Sequence, residues 1–235
     1  MSPEMNWLIV AVGFWLVLHL GLAGSPLRWV VARRIGEDGF RILFSALSAI
    51  GLVWLARTYG AASTHETFYG LRVVETWMLW VPALVMPVAL FFFVGAVTMR
   101  NPTAVGAAGA LAQPEPARGV LRITRHPMLW AFALWAGAHL LANGDLASSL
   151  FFASIILTAV AGMFSIDRKR ARTGGADWQR FEAVTSILPF AAIRAGRNRL
   201  VASEIGWWRV ALAAALWGVL VAIHGLVFET PALPV

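Results

Sequence analysis

Three of the five histidines, His19, His139 and His224, lie inside long apolar runs that contain no Asp or Glu. An ionisable side chain in hydrocarbon is costly and marks a working site. With no carboxylate beside it the imidazole stays neutral, and a neutral imidazole is a metal ligand. A bare metal ion would usually recruit Asp, Glu or Cys as well, and the sequence has no cysteine. That absence also removes thiolate nucleophiles, Fe–S clusters, thiolate-ligated haem and covalent haem attachment. The chemistry these residues suit is ligation of the iron of a non-covalent haem b by two imidazoles from different helices.

Depth along the apolar runs decides which pairs can share an iron. At 1.5 Å of rise per residue, His139 lies about 20 Å from Arg125, His224 about 22 Å from Arg209 and His19 about 13 Å from Arg28. Helix tilt absorbs such differences, so both His19 with His139 and His139 with His224 are compatible pairs. Trp15, Trp135 and Trp217 precede the three histidines by one or two turns, and Gly21, Ala23, Ala136, Gly137 and Ala138 lie close by. Small residues give a flat ring room and large ones border it. The competing reading of each histidine is an interhelical hydrogen bond.

A second constellation is Arg122-Ile123-Thr124-Arg125-His126-Pro127. Pro127 fits the first turn of a helix and His126 its capping position. Arg122 and Arg125 there suit an anion, such as a haem propionate or a phosphate, with His126 in support; an interfacial anchor is the alternative. Asp167-Arg168-Lys169-Arg170 reads as a basic membrane flank, and His65 beside Glu66 as a solvated residue.

The elements that position these groups are membrane helices. The 235 residues are 59% hydrophobic and 13% charged, with a mean hydropathy of +0.71, far from a soluble domain. Runs near Trp7–Gly24, Arg41–Ala56, Trp77–Val97, Pro127–Ala142, Leu146–Ile166 and Trp207–Phe228 approach the ~20 residues that cross a bilayer. The expected fold is all-α: one integral membrane domain, 1–235, of about six transmembrane helices with short interfacial helices. Of the 19 basic residues, all but Arg57 and Arg72 fall in or beside alternate connections. The positive-inside rule makes those connections cytoplasmic, places both termini outside and suits a bacterial inner membrane. The net charge of +7 is explained by flanks that touch anionic headgroups and calls for no nucleic acid.

Between the spans, Ser25–Arg34 alternates apolar and basic residues and reads as a short interfacial helix after a Gly-Ser-Pro break. Asn101–Arg118, rich in Ala, Gly and Pro, reads as a flexible connector. Asn143-Gly144-Asp145 is a tight turn joining two antiparallel spans. Asp177–Glu182 is amphipathic, and Ile187–Ile193 is an apolar island too short to span, suited to dipping into the headgroup region or covering the base of the bundle.

The segments RITRHPMLWAFALWAGAHLLANGD, DRKR and FEAVTSILPFAAIRAGR, with HLGLAGSPLR near the N-terminus, together resemble the NnrU family of membrane proteins, which includes 15-cis-ζ-carotene isomerases. The resemblance implies haem b with His19 and His139 as axial ligands and catalytic residues, and a redox-dependent cis–trans isomerisation of an apolar carotenoid that enters from the bilayer. His224 remains an alternative ligand or a neighbour of the site. Leu20 stands where the family often has Ser, and Arg57 or Tyr59 and Thr158 stand near positions where the isomerases carry two further histidines. Other family members accompany denitrification genes, which implies a second reading, a non-catalytic haem subunit linked to nitrogen-oxide metabolism. The RHP run before a helical hairpin also looks like the membrane methyltransferases that bind S-adenosylmethionine. Those enzymes usually carry paired acids after the hairpin, whereas Arg168 follows Asp167 here.

Overall fold

A computed structural model describes residues 2–65, 71, 73–104 and 106–234; Glu66 and the side chain of His65 lie outside the described residues. The chain is all-α. Helix α1, Pro3–Leu16, starts where the Ser2 hydroxyl accepts from the Met5 N–H, with Pro3 and Glu4 in the first turn, an arrangement that satisfies orphan amides and the helix dipole. It continues as a π-helical segment, Val17–Ala23, and stops at Gly24-Ser25-Pro26. Helix α2, Leu27–His65, is broken at Gly36, whose φ of 77° and ψ of 163° suit only glycine. Residues 27–35 are thus the short helix expected from the basic and apolar alternation. Arg28 pairs across the break with Glu37 at 2.5 Å and rests on the rings of Trp29 and Phe40.

Helix α3 is Thr76–Thr98 and α4 is the single turn Val120–Ile123. Pro127–Ala142 forms α5 and Leu146–Thr173 forms α6, separated by the expected turn at 143–145. Then come α7, Gly175–Ala183, and two short turns, α8 at Ala191–Arg194 and α9 at Ala202–Ile205. The last helix, α10, is Trp207–Phe228. Among the described residues five helical stretches are long and apolar enough to cross a membrane: Pro3–Ala23, Leu27–Ser63, α3, α6 and α10. Helix α5 is the sixth apolar helix, shorter at 16 residues.

The chain forms two compact units, residues 1–81 with 136–162, and residues 82–135 with 163–235. In the first, α1 buries Met5, Leu8, Ala11, Val12 and Trp15, and α2 buries Leu55 and Ala62. Phe14 closes on Gly51, where a Cβ would lie 2.9 Å from its ring. In the second, Phe92, Val120, Ile123 and Ala131 form one core cluster. Leu111, Ala117, Trp178 and Phe181 form another. That second cluster corrects the expectation of a slack connector at 101–118. Its stretch Ala108–Ala112 is a 3₁₀ turn, ordered because Leu111 and Ala117 bury against the apolar face of α7. The island 187–193 covers the base of the unit as expected: the Ile187 carbonyl accepts from the Trp130 indole N–H and the Thr124 hydroxyl. The Phe190 N–H donates to Ile123, which holds Phe190 at a positive φ of 63°.

Close packing of α3 on α4 depends on Gly95, where a Cβ would lie 2.6 Å from Cγ2 of the fully buried Val120. Gly95→Ala is therefore expected to destabilise the protein by about 1–3 kcal/mol, despite the better helix propensity of Ala. The double variant with Val120→Ala should recover part of the loss. Thermal unfolding in detergent checks both, and a single variant as stable as the parent would contradict the packing.

Candidate functional site

His19 lies in the π-helical segment, a helix form frequent at functional positions. Its Nδ1 is 2.9 Å from the Trp15 carbonyl oxygen. A carbonyl only accepts, so Nδ1 carries the proton and Nε2 keeps its lone pair, the tautomer that a metal ligand needs. The imidazole packs 3.9 Å from the Trp15 ring and 5.2 Å from the edge-on Phe44 ring, centroid to centroid. Trp15 is itself fixed, because its indole N–H donates to the Thr158 hydroxyl of α6 at 3.0 Å.

His139, on α5 in the same unit, packs 5.4 Å from Phe152 of α6. The Asn143 amide donates to the His139 carbonyl at 2.8 Å and closes the end of α5. Phe152 stands six positions before Thr158, about 9 Å along the helix axis. Tyr59 stacks on Phe151 at 4.4 Å and its hydroxyl lies 3.0 Å from that of Ser148. Thus α6 supports His19 through the Thr158–Trp15 bond and His139 through Phe152, and Tyr59 and Thr158 carry hydrogen bonds that hold this aromatic layer. His224 belongs to the second unit. Its Nδ1 lies 2.6 Å from the Thr230 carbonyl and its ring 4.8 Å from that of Phe228.

The RITRHP run occupies the base of the second unit. Arg125 donates through Nε and Nη2 to Oδ2 of Asp167, at 2.9 and 2.6 Å. Nε2 of the buried His126 lies 2.8 Å from the other oxygen, Oδ1. His126 Nδ1 is buried without a hydrogen-bond partner among the described residues. The Arg125 backbone is tied on both sides, its N–H to Ser186 and its carbonyl to the Thr103 hydroxyl. Arg122 forks onto both oxygens of Glu204, at 2.7 and 2.8 Å, and donates a third bond to Asn198. Glu204 also accepts from the Gly119 N–H.

The arginines expected to receive an anion are therefore neutralised by carboxylates of this chain. Sequence reasoning missed these partners. In the sequence Asp167 reads as part of a basic flank or as a lone acid after the helical hairpin, and Glu204 carries no signal beyond its place between Arg199 and Arg209. Hydrogen bonds from Arg122, partly opposed by desolvation and reinforced by Gly119, hold the Glu204 carboxyl at about 2. The same contact raises the Arg122 guanidinium above its ordinary value.

The fold and site define an all-helical membrane protein with two imidazoles in one aromatic-rich unit and a polar base fastened by ion pairs. The family described as NnrU protein matches residues 7–232, and the chain belongs to that family. It is 30% identical over 204 residues to the 15-cis-zeta-carotene isomerase, chloroplastic, of Arabidopsis thaliana, a match covering 85% of this chain and 53% of the relative. The protein of the same name from Zea mays is 27% identical over the same shares of both chains. The chain spans about half the length of these curated relatives. No solved structure matches.

The Arg122–Glu204 clasp has a pH signature. A carboxyl lowered from its ordinary 4.5 to about 2 on folding contributes stability that is full above about pH 4.5 and is lost as pH falls through about 2. The stability difference between the parent and Glu204→Gln should be constant above about pH 5, shrink below it and approach zero near pH 2. Thermal unfolding of both across this range is the measurement. A difference that ignores pH would refute the clasp.

Proposed function

We propose that this protein isomerises a cis double bond of an apolar polyene within the membrane, with 15-cis-ζ-carotene as the leading substrate, and that it holds haem b between His19 and His139. The observation that carries this reading is the presence of both histidines in one unit, braced by the same helix, with the Nε2 of His19 left available by the Trp15 carbonyl. The relatives' names supply the substrate class.

The residues present fit such a group. Both donors are imidazoles, and Trp15, Phe44, Phe151 and Phe152 offer the large apolar rims that a porphyrin requires. Bound haem would supply a redox-active iron whose oxidation state alters its hold on an imidazole. The chain's own residues do the rest. His19 and His139 would hold the metal, the Trp15 carbonyl fixes the tautomer and plane of His19, and the aromatic layer would exclude water. Exposed apolar faces such as Ile50, Leu52 and Val53 of α2 offer a carotene a route through lipid, since such a molecule cannot arrive through water.

The purified protein, expressed with ample haem supply, should give a b-type pyridine haemochrome. His19→Ala and His139→Ala should each lose the six-coordinate absorption spectrum, and His224→Ala should keep it. Coexpression with enzymes that make poly-cis ζ-carotene should deplete the 15-cis isomer, and either of the first two substitutions should abolish that depletion. An unchanged spectrum in His19→Ala overturns the ligand pair. Full haem loading without isomer loss overturns the isomerase reading and leaves a haem subunit, such as one serving nitrogen-oxide metabolism.

The arginine distribution supports a matching orientation, with both termini outside a bacterial inner membrane and 101–118 in the cytoplasm. A reporter active only outside should work when fused to the C-terminus and fail when inserted in that loop. The opposite pattern reverses the topology.

A further inference from the structure

We propose that the second unit carries a binding site for the headgroup of an acidic phospholipid, in the cavity between the end of α3, the 113–118 segment and the start of α10. The cavity has a volume of about 580 Å³ and is lined by Arg100, Arg118 and Arg209 together with Thr98, Glu115 and Glu204. Three arginines face two carboxylates, but the carboxylates are spent elsewhere. Glu204 is forked by Arg122 and bonded by Gly119, and Glu115 lies 3.7 Å from the same Arg122.

Arg209 is held in place without a counterion among the described residues. It donates to the Thr98 hydroxyl at 2.8 Å, to the Ile205 carbonyl at 2.7 Å and to the Thr98 carbonyl at 3.4 Å. Its guanidinium rests 4.3 Å from the Trp208 ring centre. Every one of those acceptors is neutral, so the positive charge is oriented and uncompensated. Arg100 is exposed and makes no hydrogen bond or ion pair with the described residues. Arg118 is exposed, and its side chain lies 3.9 Å from Glu204. A fixed guanidinium with one unpaired and one loosely paired guanidinium beside it is a donor set for a phosphate oxyanion.

The location specifies a lipid. Thr98 ends one apolar span and Trp207 begins another, so the cavity opens where hydrocarbon gives way to headgroups. Val97, Trp207, Trp208 and Val210 are exposed next to it, ready to contact acyl chains, and basic pockets between membrane helices recruit anionic headgroups. This site is independent of the histidines.

The test uses the full-length protein in detergent with added phosphatidylglycerol, phosphatidylcholine or inorganic phosphate at equal phosphate concentration. Thermal unfolding, haem content and lipid retention in native mass spectrometry are the readouts. Phosphatidylglycerol should stabilise the parent and remain bound, whereas phosphatidylcholine should do neither. Arg100→Gln with Arg118→Gln should unfold at the parent's temperature without lipid, keep the parent's haem content and bind phosphatidylglycerol roughly ten- to thirty-fold more weakly. Arg100→Lys with Arg118→Lys should retain most of the affinity, which separates charge from folding. Equal binding of phosphatidylcholine, or undiminished binding by the glutamine variant, would overturn the site. Equal stabilisation by inorganic phosphate would overturn the lipid assignment in favour of a free anion.

Discussion

The carboxylate of Asp167 is the fixed point on which the base of the second unit depends. A charge removed from water must be paired and hydrogen-bonded on every side, and Asp167 meets this demand by giving one oxygen to Arg125 and the other to His126. The two residues preceding Pro127 are thereby fastened to the far end of α6. Because Arg125 is also held by Ser186 and Thr103 through its backbone, the 101–118 segment and the island 187–193 are both registered against the start of α5. Removing one partner of such a buried pair typically costs about 3–5 kcal/mol, since the other is left charged and unmatched.

Helix α6 serves the histidine-bearing unit by other means. There it offers a hydroxyl and aromatic rings: Thr158 receives the Trp15 indole, and Phe152 packs beside His139. Neutral contacts suit a neutral imidazole, because a carboxylate within reach would favour the protonated form and remove the lone pair. The bond from Nδ1 of His19 to its own helix backbone accomplishes the orientation that a carboxylate often provides at metal sites. His19 lies in the π-helical segment and Trp15 in the α-helical turn before it, and their rings, four residues apart, meet at 3.9 Å with a tilt of 33°.

The apolar spans, the break before α2, the turn at 143–145 and the cap at 187–193 were legible because each is written in local composition. Gly36 shows the limit of that legibility. The alternation before it indicated a short helix, but only its left-handed backbone shows where that helix ends. The Arg125–Asp167 and Arg122–Glu204 pairs join positions 42 and 82 residues apart, and no periodicity links such partners. The 101–118 segment was misread for the same reason: its composition is that of a loop, and its order comes from Trp178 and Phe181 of a distant helix. The histidines were conspicuous individually, whereas their division, with His19 and His139 in one unit and His224 in the other, is a product of the fold.

These pairings also determine how the net charge of +7 is expressed. Arg122 and Arg125 are matched by Glu204 and Asp167, and Arg28 by Glu37, so they add little to the outward field. Arg33, Arg34, Arg172, Arg194 and Arg199 are exposed, and their side chains, like that of Arg100, make no hydrogen bond or ion pair with the described residues. Their attraction for anions acts within about 8–10 Å at physiological salt, a distance comparable to the depth of a headgroup layer. The charge that composition reports as an average is therefore divided by the fold: the paired arginines are neutralised within the chain, and the unpaired ones are left to act on an anionic surface.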